Sequence, residues 1–151
     1  MKLDHADVLE LLFQRYPFLW VDEVTDCEAG KYAVSKKYMD PDFPMFKGYS
    51  PDCAAVPGTI LIEAMSQTAG VATALYYKEK RIKAPIRLFA GIENARFYKR
   101  VPAGVTITVK SVLRDPEARF IYADCEVLAM GERVASAVVS FVFAKPLDQN
   151  G

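Results

Sequence analysis

The chain has 151 residues, 52% of them apolar, and its 19 Lys+Arg are balanced by 19 Asp+Glu. That length fits one domain with a real core, and zero net charge leaves no field to steer nucleic acid. The three cysteines, Cys27, Cys53 and Cys125, form no Cys-x-x-Cys pair, which argues against a disulfide framework or a zinc site and for a reducing, cytoplasmic setting.

In chain order, Asp4 or Asp7 caps a short predicted helix through Leu12, which Pro17 closes. Phe18 to Cys27 and Lys31 to Tyr38 read as strands joined at Glu28-Ala-Gly30. A Pro-rich loop fills Asp40 to Val56. A long helix then runs from Pro57 to about Lys80, since Pro at a helix start sacrifices no hydrogen bond. Its small residues Ala64, Ser66, Ala69, Gly70, Ala72 and Ala74 point to a helix closely enclosed by other elements. Glu63, Gln67 and the glycines make it a core helix, not a membrane span. Arg87 to Tyr98, Val105 to Leu113, Phe120 to Leu128 and Arg133 to Phe143 read as strands. Turn residues at Pro102-Ala-Gly104, Asp115-Pro116 and Gly131-Glu132 separate these four. One long helix against a single curved antiparallel sheet is the economical α+β solution. Residues 1–147 make one domain, with 148–151 as a disordered tail.

The chemistry concentrates between Phe46 and Gln67. Glu63 and Gln67 are four apart and share a helix face, so the amide can hold the carboxylate. A carboxylate carried into an apolar interior is costly unless it is paired, hydrogen-bonded or used. The helix start at Gly58-Thr59-Ile60 offers free N–H groups and the positive dipole end, which suit a thioester carbonyl gaining negative charge. The only histidine, His5, sits near the N-terminus, where a solvated ring is the default. The basic run Lys78 to Lys83, with Arg87, Arg96, Lys99 and Arg100, reads as a solvated surface.

At these residues the chain resembles the 3-hydroxyacyl-acyl carrier protein dehydratases of the hot-dog fold. Arg15-Tyr-Pro-Phe-Leu-Trp-Val-Asp22 looks like that family's opening signature. Pro57-Gly-Thr-Ile-Leu-Ile-Glu-Ala-Met-Ser-Gln67 is similar to its central-helix motif, and Gly91-Ile-Glu-Asn-Ala-Arg-Phe97 to its later strand motif. Pro102-Ala-Gly104 and Gly131-Glu-Arg-Val134 match its turn and last hairpin. The resemblance implies a sheet wrapped around the helix and a homodimer or trimer of dimers with acyl tunnels between subunits. It also implies a substrate carried on the phosphopantetheine of acyl carrier protein or on CoA, with no cofactor and no metal. The basic run could then dock an acidic carrier protein.

In that family a loop histidine is the base and the helix glutamate, from the partner subunit, is the acid. The glutamate carries over to Glu63 and the backbone donor to Gly58, beside Pro57. The family's Gly-His-Phe-Pro is here Gly48-Tyr-Ser-Pro51, so Tyr49 stands at the histidine position. The family's following Gly-Asn-Pro-Val-Met is Asp52-Cys-Ala-Ala-Val56, and Phe13-Gln14 replaces a usual Pro-His. A tyrosine, with a pKa of about 10, is a poor base at neutral pH, and a lost general base costs on the order of 10²–10⁴-fold. Candidate catalytic residues are therefore Glu63, Tyr49 and Asp52, with Gly58, Gln67, Pro57 and Cys53 as substrate contacts. Three readings stay open: a divergent dehydratase of fatty-acid or polyketide type, a thioesterase using Glu63, and an inactive subunit that pairs with an active homologue. Neither nucleic acid nor a membrane is an expected partner.

Overall fold

The computed structural model describes residues 1–49 and 55–144. Helix α1 covers His5–Leu11. Asp4 accepts from the Asp7 N–H at 2.9 Å while the Asp7 carboxylate accepts from the Asp4 N–H at 2.9 Å, a reciprocal capping box. Strands β1 (Glu23–Glu28) and β2 (Tyr32–Tyr38) form a hairpin. At its turn Gly30 has φ +72°, and a Cβ there would lie 2.8 Å from Tyr76 Cδ2. Its N–H donates to the Ala72 carbonyl at 2.9 Å, hooking the hairpin onto the long helix.

Then come α2 (Pro44–Tyr49), α3 (Gly58–Glu79), β3 (Ile86–Phe97), β4 (Thr106–Leu113), β5 (Phe120–Ala129) and β6 (Glu132–Ala144). The strands form one antiparallel sheet in the order β1-β2-β4-β5-β6-β3. Met130 and Gly131, at φ 53° and 77°, make a two-residue turn between the paired Ala129 and Glu132.

The sheet curls around α3, whose side chains are buried from Leu61 to Ile62, Ala64 to Thr73 and at Leu75. Ile107, Val109, Ile121, Ala123, Val127 and Val139 face it with no exposed area. Small helix residues let strands come close enough for buried polar contacts. Thr68 Oγ1 lies 2.7 Å from Ser35 Oγ, and Ser111 Oγ donates to the Met65 carbonyl at 2.9 Å.

Three details depart from expectation. The first strand begins at Glu23, not Phe18, because the backbone of Phe18 and Trp20 is bound to a helix side chain instead of a neighbouring strand. The Pro-rich loop contains a helical turn, α2, with Pro44 at its first position, where a missing N–H is harmless. Pro57 is the residue before α3, with extended ψ of 140°, and makes no side-chain cap. The expected tail at 148–151 lies outside the described residues.

Candidate active site

Glu63 lies in the second turn of α3 and is half-buried. Its Oε1 accepts from Gln67 Nε2 at 3.0 Å. Gln67 is itself buried and fully engaged. Its Nε2 also donates to the Phe18 carbonyl at 2.9 Å, and its Oε1 accepts the Trp20 N–H at 2.7 Å. The four-residue spacing thus becomes a clamp in which the chain before β1 fixes the amide and the amide fixes the carboxylate. Burial pushes the Glu63 carboxyl up from its ordinary value of 4.5, while the Gln67 hydrogen bond and the Arg87 charge pull it down. A carboxyl raised in this way keeps a proton available to give, as a general acid must.

The segment feeding the clamp is held from behind. Lys37 Nζ bonds Asp22 Oδ1 at 2.9 Å and sits 5.0 Å from the Phe43 ring centroid and 5.9 Å from Trp20. Asp22 Oδ2 accepts the Tyr38 N–H at 2.7 Å. Trp20 and Phe43 meet edge-on at 5.4 Å, so the region before β1 packs against the chain entering α2.

At the start of α3 the ladder opens with the Ile60 N–H to the Pro57 carbonyl at 3.0 Å. The N–H groups of Gly58 and Thr59 precede that ladder, as first-turn donors do. A Cβ at Gly58 would stand 2.8 Å from Phe97 Cε1, so glycine here lets the β3 ring approach the helix end. A cavity of about 460 Å³ opens beside it, lined by Val56, Gly58, Ile62, Phe97, Arg100 and Val101 among others. Strand β3 runs beside α3 in the opposite direction, with Phe97 at Gly58 and Arg87 at Gly70. Phe89 and Ile92 oppose the buried Phe141 and Val139 and therefore point to the same inner face, yet remain 41% and 51% exposed.

Tyr49 closes α2 with an exposed side chain, and no hydrogen bond joins it to Glu63. Within one chain a hydrogen bond joins Glu63 to Gln67, and Gly58 lies five residues earlier on the same helix. Asp52 and Cys53 lie outside the described residues. His5 Nδ1 meets the Asp22 carbonyl at 3.0 Å on the surface. Cys27 and Cys125 are buried, and burial pushes the Cys125 thiol up to about 12, so it is no nucleophile. Among the described residues no group of three or more His, Cys, Asp or Glu could hold a metal, and no helix is long and apolar enough to cross a membrane. Arg87, whose charge acts on Glu63, reads in the sequence as surface charge. The signal for it is Gly70, an otherwise costly glycine inside a helix, one heptad beyond Glu63.

The model of the FabA-like domain matches residues 12–138. A 3-hydroxyacyl-[acyl-carrier-protein] dehydratase FabZ of Syntrophotalea carbinolica is 35% identical over 145 residues, covering 95% of this chain and 97% of that protein. The FabZ of Lawsonia intracellularis is 31% identical over 134 residues, covering 89% and 88%. Among solved structures, a chain of the dehydratase heterocomplex ApeI:P from Xenorhabdus doucetiae aligns with a TM-score of 0.79 at 16% identity, covering 92% of this chain and 91% of that one. A hypothetical thioesterase with coenzyme A from Streptococcus pneumoniae aligns with a TM-score of 0.61 at 11% identity, covering 80% and 84%. Likeness at those identities concerns the fold alone.

Proposed function

The chain belongs to the FabA-like family of hot-dog proteins, and from that we propose that it is a 3-hydroxyacyl thioester dehydratase with Glu63 as its acid. The single observation that carries this is the Glu63–Gln67 clamp on the helix whose first turns line the cavity. Dehydration removes a proton from C2 and hydroxide from C3 of the substrate. The C2–H electron pair becomes the new C2=C3 bond, the C3–O bond breaks, and the departing hydroxide takes the Glu63 proton to leave as water. The thioester carbonyl, which gains negative charge as C2 loses its proton, is placed at the Gly58 N–H.

The proton acceptor comes from the loop that carries Tyr49 and Asp52. By residue type a carboxylate is the better acceptor at neutral pH, which favours Asp52 with Tyr49 as a neighbouring donor. The open inner face of β3 and its exposed Ile86, Leu88 and Ile92 favour pairing with a second copy, as a long apolar edge requires cover. That pairing would let one protomer's loop face the other's Glu63 in a homodimer. Lys99 and Arg100 at the cavity rim suit an acidic acyl carrier protein presenting phosphopantetheine. The named relatives favour dehydration over thioester hydrolysis, because thioesterases resemble the chain only in fold.

The test is Glu63→Gln assayed with a 3-hydroxyacyl-acyl carrier protein, following enoyl absorbance and free thiol together. Loss of about 10²–10⁴-fold in enoyl formation is expected. Unchanged dehydration overturns Glu63 as the acid, and thiol release without enoyl product would replace dehydration by hydrolysis.

A further inference from the structure

Phe97 closes β3 opposite Ala135, which is fully buried, so its ring points to the inner face of the sheet. It is nevertheless 52% exposed. The backbone around it is fixed. The Tyr98 N–H donates to the Val134 carbonyl at 2.8 Å, and the Val56 N–H donates to the Val101 carbonyl at 2.7 Å. That second bond ties the chain leaving β3 to the chain entering α3, and the cavity of about 460 Å³ lies between them. Val56, Leu61, Ile62 and Val101 in its wall are buried in the core. Tyr98 also lines it, but Arg133 sits 4.7 Å from that ring and Ser136 Oγ lies 2.9 Å from its hydroxyl. Phe97 is thus the large apolar side chain in the wall that the fold leaves open.

One edge of the ring meets the start of α3. A Cβ at Gly58 would stand 2.8 Å from Cε1, 2.9 Å from Cζ and 3.1 Å from Cδ1. The Cβ position and the N–H of a residue share one Cα, so a ring pressed on the first also covers an approach to the second. We infer that Phe97 is a positioning residue for the thioester carbonyl, a ring that keeps water from the Gly58 N–H so that the carbonyl oxygen becomes its acceptor. A hydrogen bond to developing negative charge is stronger where water is excluded than in open solvent. Glycine at position 58 is then required by the ring as well as by the helix end, because any side chain there would push the ring away. The inference rests on the dehydratase reading in one respect, the placement of the carbonyl at Gly58.

A saturated acyl-pantetheine thioester without the 3-hydroxyl cannot lose water, so its bound state can be held and read. Infrared difference spectra of the whole protein with this ligand, isotopically labelled at the carbonyl, should show the C=O band below its frequency in water. In Phe97→Ala the band should return most of the way to the water value, while Phe97→Leu keeps it low. Gly58→Ala should act like Phe97→Ala, and the double variant should add nothing further. With a 3-hydroxyacyl substrate, Phe97→Ala should lose about tenfold in kcat with KM little changed, less than the roughly 10²–10³-fold of deleting an oxyanion donor outright. A wild-type band at the water value, or a low band that survives Phe97→Ala, overturns the proposal. So does a loss of dimer in Phe97→Ala with the band unmoved, since the ring would then serve a second copy. Failure of the dehydratase reading shows instead in the Glu63→Gln turnover assay and in free thiol, neither of which sets the carbonyl band.

Discussion

Gln67 and Thr68 are neighbours on α3, both buried, both hydrogen-bonded, yet they face different sides of the molecule. Thr68 Oγ1 is bonded to Ser35 Oγ and to the Ala64 carbonyl, both at 2.7 Å. All of that circuit lies between helix and sheet. Gln67 also satisfies itself, with Phe18 and Trp20, but passes its remaining bond outward to a half-buried carboxylate. Buried polar groups that close on one another hold a fold together. Those that end on a titratable group next to open space hold a reagent in place.

The largest test of this contrast is Gln67→Leu. It strands the Trp20 N–H and the Phe18 carbonyl and should cost about 3 kcal/mol, or a fall in Tm of about ten degrees by calorimetry. It also removes a donor that favours ionised Glu63, so the pKa of that carboxyl rises further. With Glu63 as the acid, activity falls as pH climbs through this value, so the alkaline limb of the rate profile should move to higher pH. Thr68→Val is the paired control on the closed side. Losing its bond to Ser35 should cost about 1–2 kcal/mol, a Tm drop of about four degrees, with the alkaline limb unmoved. A shifted limb in Thr68→Val would break the contrast.

The smallest effect is a pH slope. A carboxyl raised in the folded state stabilises the protein fully only below its unfolded value, and that contribution is lost as pH rises through the folded value. Glu63→Gln removes the slope. By thermal melts across pH, the variant should be more stable than wild type near neutrality and should converge with it at acid pH.

The Glu63–Gln67 pair was legible because helical spacing alone brings residues four apart together. The six strands and the central helix followed from alternation and from proline and glycine positions. What Gln67 binds was not legible. Phe18-Leu-Trp-Val21 is an unbroken apolar run that reads like a buried strand, but its backbone is claimed by a side chain nearly fifty residues later, and no local pattern encodes that. The α2 turn hides for a different reason, since six residues with a glycine and flanking prolines carry too little periodicity to register. Arg87 reads as one of several surface cations because nothing local announces that it packs on the bare backbone of Gly70.

Strand β3 has a further consequence, in the order of events as the chain is made. Among the described residues its only ladder partner is β6, the last of their strands, and the outermost pair joins Ile86 to Ala144. Twelve residues rich in exposed apolar side chains must therefore wait, unpaired, while β4 and β5 are synthesised. Pairings this distant in sequence form slowly, and an uncovered strand edge is where misassembly starts. Truncation within β6 would thus expose β3 completely, turning that strand into the stickiest surface of the molecule.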